Sequence, residues 1–174
     1  MTTRTHAVVD GRLGPMTVVA QDGRLAGLYL HGQRHLPPVE RLGARDDATL
    51  PALQEQLGAY LTGDLQSFEV DLAPVGTPFQ AAVWAALRHV PYGTTTTYGA
   101  LAAAIGRPSA VRAVGAANGR NPICLVVPCH RVVGADGSLT GYAGGLDRKR
   151  LLLELERGGA ADRGATAAQL SLLT

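Results

Sequence analysis

No apolar run in this 174-residue sequence approaches the roughly 20 residues needed to cross a bilayer, which argues against a helical membrane span. The first residues lack the charged-then-apolar pattern and the cleavage site of a signal peptide. Cysteine is nearly absent: Cys124 and Cys129 are the only two, five positions apart, too few for a disulfide scaffold. These absences predict a reducing, cytoplasmic setting. With 46% hydrophobic residues the chain can bury a core without staples. Cys124, Cys129 and His130 crowd onto one short stretch and cannot surround an ion tetrahedrally, so no metal and no cofactor is expected. Lysine is scarce as well, since 15 of the 16 basic residues are arginine. That choice suits phosphate contacts, and a biased genome composition gives the same count.

The net charge of +2 hides an asymmetry. Residues 1–75 carry 6 basic and 9 acidic side chains, residues 76–174 carry 10 and 5. A basic half joined to a mildly acidic one fits a chain of which one part meets a polyanion; ordinary charge scatter is the alternative.

Three short strands are predicted first, at Ala7–Val9, Met16–Ala20 and Leu25–Leu30, with tight turns at Asp10-Gly11 and Asp22-Gly23. Residues 31–47 read as a polar loop. Leu50, Leu53, Leu57, Tyr60 and Leu61 recur at helical spacing, and Gly63 is placed to stop that helix. Phe68–Leu72 alternates like a half-buried strand, and Pro74–Gly76 reads as a linker. Thr77-Pro78 signals a helix start, with Val83, Trp84 and Leu87 on its apolar stripe; Trp84 is read as core in preference to a base-stacking platform. Thr97 can cap a helix through Ile105 that stops at Gly106-Arg107-Pro108, and a second helix is predicted from Ser109 to Asn118 with Gly119 as its stop. Together they make a helix-turn-helix candidate. The second helix carries Ala113, Gly115 and Ala116, so its face can approach either the protein interior or another surface closely. A last helix is predicted from Leu146 to Arg157, ended by Gly158, with a frayed tail in which Leu170, Leu172 and Leu173 could dock.

The remaining stretch carries the chemistry. Asn121-Pro122 precedes the apolar run Ile123–Val127, read as a strand, which delivers Pro128-Cys129-His130-Arg131-Val132. Thiolate is the reactive form of cysteine, and a neighbouring base or cation helps to form it; a small core hydrophobe is the bland reading of Cys129. The order of Asn121-Pro122, this motif, Tyr98, Arg112-Ala113-Val114, Tyr142-Ala143-Gly144-Gly145 and Glu156 resembles the O6-alkylguanine-DNA alkyltransferases over residues 77–158. The resemblance implies an α/β (α+β) protein, with a ribonuclease H-like β-meander lobe at 1–75, a helical DNA-binding and active-site domain at 76–158, and a flexible tail at 159–174.

It further implies direct repair of double-stranded DNA containing O6-alkylguanine, with O4-alkylthymine as a second candidate substrate, by irreversible single-turnover transfer of the alkyl group to Cys129. In that family the residue matching His130 takes the thiol proton through a water, that matching Glu156 orients it, and that matching Tyr98 serves the departing guanine. Arg112 matches the arginine that fills the stack after base flipping from the minor groove. Ala113, Gly115 and Ala116 match the groove-facing helix, Asn121 the tie between helix-turn-helix and active-site strand, and Tyr142, Ala143 and Gly144 the lid over the flipped base. Ala143 stands where some members have serine, which leaves only a backbone N–H for O6. Some members hold zinc in the N-terminal lobe, but residues 1–75 lack cysteine. A monomer is expected, with cooperative binding on DNA left open. The main rival is a non-catalytic alkyltransferase-like damage-binding protein, against which Cys129, His130 and Glu156 argue. A thiol hydrolase is the other, disfavoured because neighbours on an extended strand point to opposite faces.

Overall fold

The structure, a computed structural model, describes residues 2–171, with side chains through Gly159. It opens on three antiparallel strands, β1 (Arg4–Val9), β2 (Met16–Gln21) and β3 (Arg24–Leu30). Asp22 and Gly23 both take left-handed φ, 51° and 75°, which matches the right-handed twist of the strands they join. The first connection is wider than the expected Asp10-Gly11 hairpin. The register pairs Val9 with Met16, and the turn closes between Gly11 O and Gly14 N at 2.9 Å.

The polar stretch 31–47 is not all loop. It contains a 3₁₀ turn at Val39–Arg41 and a strand β4 (Ala44–Arg45) that pairs in parallel with β1, giving the order β3-β2-β1-β4. Two residues are too few to show a period in sequence. Helix α1 (Pro51–Thr62) buries Leu53, Leu57, Tyr60 and Leu61 and stops at Gly63, whose φ is 88°.

Phe68–Leu72 keeps the expected alternation of burial but is not a strand; only Leu72 bridges to Leu25. The same edge of β3 must also receive the reactive segment. Leu25 exchanges backbone hydrogen bonds with Asp71 and Ala73 (2.8 and 2.7 Å), and Leu28 with Pro122 and Cys124 (2.8 and 3.1 Å). One edge shared by two short segments leaves no length for a ladder.

Helix α2 (Pro78–Leu87) begins on a reciprocal cap, Gln80 N donating to Thr77 Oγ1 and Thr77 N to Gln80 Oε1. A two-stranded parallel sheet that periodicity did not reveal follows, β5 (Thr96–Thr97) with β6 (Val132–Val133). Between them lie α3 (Tyr98–Ala104), capped by Thr97, and α4 (Val111–Gly119). The second helix starts two residues later than predicted because Ser109 makes no cap, and Gly119 is its last residue in place of its stop. Val114, Ala117 and Asn118 face inward, and Trp84 is core, its Nε1 donating to Ala117 O at 2.9 Å. Arg112, Ala113 and Ala116 are exposed, so the small-residue helix serves both surfaces that its composition allowed.

The last helix, α5 (Leu146–Ser171), passes through Gly158 and Gly159 where a stop was expected. Neither glycine takes a left-handed φ, so neither acts as a C-cap, and the alanine-rich stretch beyond has high helix propensity. The docking expected of Leu170, Leu172 and Leu173 lies outside the described side chains. No helix among the described residues is long and apolar enough to cross a membrane.

Candidate active site

The apolar run before Cys129 is a tight turn, not the expected strand. Ile123 makes a single bridge to Leu28, Leu125 takes φ 66°, and Val127 N reaches back to Ile123 O at 3.0 Å. Asn121 enforces the reversal, with Nδ2 donating to Val127 O (2.8 Å) and Oδ1 accepting from Ile123 N (3.0 Å). The run is uniformly apolar because the turn is buried, so composition alone could not tell it from a core strand. Cys129–Arg131 then form a 3₁₀ turn, fixed by Asn118 Nδ2 donating to Cys129 O at 3.3 Å. Cys129 is 4% exposed.

His130 and Glu156 are both fully buried, with Nε2 of the ring 2.7 Å from Glu156 Oε1. The same carboxylate receives Tyr60 OH at 2.5 Å, Arg131 Nε at 2.9 Å and Nη2 at 2.8 Å, and Gly93 N at 3.2 Å. Arg131 Nη1 also donates to Val90 O at 2.6 Å. Burial pushes the carboxyl of Glu156 up, but hydrogen bonds and charge from His130 and Arg131 outweigh it and hold the group at about 2. An ionised Glu156 is acceptor-only, so Nε2 carries the ring proton. Nδ1 is then the basic nitrogen; it is buried and has no partner among the described residues.

Burial lowers the pKa of His130, with Glu156 pulling it back only in part. Burial likewise raises the Cys129 thiol, against the Asn121 amide and the charge of Lys149. The resting pair is thus a neutral thiol beside a neutral imidazole. No hydrogen bond joins Cys129 Sγ to the imidazole ring of His130 among the described residues; the sulfur is reached instead by the backbone N–H of His130. Lys149 is fully buried with no carboxylate partner among the described residues; Nζ donates to Val132 O (2.5 Å), Thr140 O (2.6 Å) and, at 3.5 Å, Gly141 O, and burial brings it down to about 8.

A cleft of about 480 Å³ is lined by Tyr98, Gly115, Ala116, Tyr142 and Ala143 together with the basic residues Arg34, His35 and Arg120; Cys129, His130 and Glu156 are not among its lining residues. Tyr98 OH donates to Thr140 O and Gly141 O at 3.2 and 3.4 Å. Tyr142 is buried and its hydroxyl has no partner among the described residues. Gly144 does not line the cleft. There its loop passes close to β3, since an added Cβ would lie 2.6 Å from Leu30 Cδ1. Arg112 and Ala113 lie on the exposed face of α4, outside the lining. Among the described residues no group of three or more His, Cys, Asp or Glu side chains is placed to hold a metal ion.

The model for the DNA-binding domain of 6-O-methylguanine DNA methyltransferase matches residues 78–158. A methylated-DNA–protein-cysteine methyltransferase of Mycolicibacterium paratuberculosis is 48% identical over 153 residues, covering 87% of this chain and 92% of that one. One from Methanosarcina acetivorans is 46% identical over 152 residues, covering 87% and 97%. The chain belongs to the methylated-DNA–protein-cysteine methyltransferase family. The fold agrees: the Mycobacterium tuberculosis OGT solved in complex with DNA superposes with a TM-score of 0.83 at 46% identity, covering 89% of this chain and 94% of that one. The O6-methylguanine-DNA methyltransferase of Pyrococcus kodakaraensis gives 0.52 at 26% identity, covering 88% and 99%.

Within this methyltransferase chain, the matched segment encloses Cys129, His130 and Glu156 and leaves Tyr60 outside it. Tyr60, Arg131 and Lys149 are the site residues that sequence reasoning missed. Tyr60 was counted only as one member of an apolar helical stripe, although a hydroxyl on a buried stripe needs a partner. Arg131 stood next to the thiol motif, unassigned. Lys149 had a signal of its own, as the single lysine among fifteen arginines. It occupies a fully buried site where one compact ammonium reaches three carbonyls.

Proposed function

We propose that this protein repairs DNA by moving the alkyl group of O6-alkylguanine onto Cys129, with the non-catalytic damage-binding reading as the alternative it excludes. The observation that carries this is a buried thiol beside an imidazole whose basic Nδ1 has no competing partner among the described residues, close behind Tyr142 in the lining of a cleft that a small-residue helix also lines. Sulfur attacks the alkyl carbon and the bond from carbon to O6 breaks. The thiol proton passes through a bridging water to His130 Nδ1, while Glu156 holds Nε2–H and favours the imidazolium as it forms. The guanine leaves as an anion unless it receives a proton or strong hydrogen bond. Tyr98, whose hydroxyl donates to two loop carbonyls, gives its proton to the guanine ring, which leaves neutral, and the proton taken from sulfur passes from His130 through water to the tyrosine oxygen, so that both side chains end as they began.

Burial of Cys129 makes base flipping necessary, because an alkylated base within a stacked duplex cannot reach a thiol that is 4% exposed. Arg112, exposed on α4, fills the vacated stack, and the Tyr142–Gly144 loop covers the extruded base. The free state of both cysteines suits a reducing, cytoplasmic compartment, and the protein acts there as a monomer, with 76–158 as its DNA-binding and active-site domain.

The test mixes the protein with excess duplex containing O6-methylguanine and follows intact mass to completion. We expect a gain of one methyl group per molecule, mapped by peptide analysis to Cys129, and none for Cys129→Ala, which still binds the duplex. Methyl transfer by Cys129→Ala, or product accumulating beyond one equivalent, would refute the assignment.

A further inference from the structure

We propose that Arg34 and His35, from the loop after β3, grip the phosphates beside the flipped nucleotide, so that the N-terminal sheet region takes part in DNA binding. This rests on the repair function proposed above, since it needs the damaged strand to enter the cleft. The lining combines Gly115, Ala116, Gly119 and Arg120 from α4 and its C-terminal end with Arg34 and His35 from the loop after β3, together with Tyr98 and the 140–143 loop. Two guanidiniums and an imidazole thus border one space, and no carboxylate is among the residues that line it. Guanidinium is always protonated and its planar fork matches a phosphodiester oxygen pair. Arg34 and His35 are exposed, and neither side chain has a hydrogen-bond or ion-pair partner among the described residues.

The backbone here is built, not loose. Gln33, only 8% exposed, turns its side chain inward so that Oε1 accepts from Leu30 N at 2.7 Å. Arg34 N donates to Ala143 O at 2.9 Å, which fastens this corner to the lid itself. His35 takes φ 60°, a left-handed conformation that non-glycine residues adopt rarely. The backbone from which the basic side chains project is therefore held at a fixed place relative to the 140–143 loop. A strand whose base is drawn toward Cys129 must carry its flanking phosphates past that rim. The acidic balance of residues 1–75 hides this, because the charge that matters is two side chains at one edge.

The test uses Arg34→Ala and Arg34→Glu in the full chain, both of which keep the N–H that binds Ala143. Three quantities are read: affinity for undamaged duplex across a salt series, transfer rate from O6-methylguanine duplex, and transfer rate from free O6-benzylguanine base. For Arg34→Ala we expect duplex affinity to fall at least about fivefold and the log–log salt slope to become shallower by about one, as for a lost phosphate contact. The loss on duplex should exceed the loss on the free base by at least about fivefold, and Arg34→Glu should be worse than Arg34→Ala. An Arg34→Glu protein with wild-type duplex affinity and salt slope overturns the proposal, and so do equal losses on duplex and free base, which would make Arg34 a support for the lid. Failure of the wild-type protein to take a methyl group would instead overturn the repair function, while the affinity and salt series still decide the role of Arg34.

Discussion

Replacing Glu156 with glutamine tests the centre of the network. The carboxylate receives Tyr60, His130, both faces of the Arg131 fork and the backbone of Gly93. Glutamine keeps one acceptor oxygen and turns the other position into a donor aimed at donors. Arg131 cannot accept a hydrogen bond, so its guanidinium becomes a buried charge without a counter-ion. The carboxyl sits at about 2 against an ordinary value of 4.5, and about 2.5 pKa units correspond to about 3 kcal/mol. Stranding a buried partner costs about 3–5 kcal/mol in comparable cases. Two routes thus agree on the size of the loss. For a chain of this length it lowers Tm by roughly 6–20 °C.

Because the folded pKa of Glu156 is depressed, its contribution is present above about pH 4.5 and is lost as pH falls toward about 2. The gap in urea-unfolding free energy between wild type and Glu156→Gln should therefore be full at pH 7 and narrow steadily below pH 4.5. Transfer at pH 7 should also slow at least about tenfold, near the low end of what a positioned acid–base group contributes, because the imidazolium loses its counter-charge. A stability loss under about 1 kcal/mol, or a gap that does not change with acid, would refute the reasoning.

Lys149→Met should shift the thiol-alkylation pH profile of Cys129 to higher pH, because the buried ammonium is a charge that lowers the thiol pKa; an unmoved profile would remove Lys149 from the site. Arg112→Ala should slow repair of duplex far more than reaction with the free modified base, since only the duplex leaves a gap in a stack, and equal losses would make Arg112 structural. The alkylated protein should melt below the free one, because an added methyl in a packed pocket costs about 1–3 kcal/mol; differential scanning calorimetry of both forms decides it, and an equal or higher melting temperature counts against a tight pocket.

What the sequence made legible was local. Pro128-Cys129-His130-Arg131 is contiguous, Thr77-Pro78 and Asp22-Gly23 carry their own chemistry, and the stripe of α1 is periodic over three turns. What it hid was long-range. Tyr60 reaches Glu156 across 96 positions and Arg131 reaches it across 25, distances over which no pattern of residues speaks. The turn at Ile123–Val127 misled for a physical reason: its reversal is set by the Asn121 side chain and a left-handed Leu125 in place of glycine or proline, so the usual turn residues are missing. The protonation state of the thiol was out of reach altogether, since it follows from burial.

That turn also bears on why one molecule acts once. On an extended strand Cys124 would lie roughly 16 Å from Cys129, and distance alone would keep it from relaying the alkyl group. The reversal brings Cys124 close enough to feel the charge of Cys129, so an extended-strand separation is not what protects the product. Chemistry does. Burial and then Cys129 push the Cys124 thiol well above its ordinary value, and its S–H is committed to Leu28 O at 2.9 Å, so no thiolate is offered. The thioether formed on Cys129 has no acyl or phosphoryl centre for a water on His130 to attack, and a thiolate is too poor a leaving group from an alkyl carbon at neutral pH. A bond that nothing at the site can break is therefore the end of the sequence, and the protein is consumed by its own reaction.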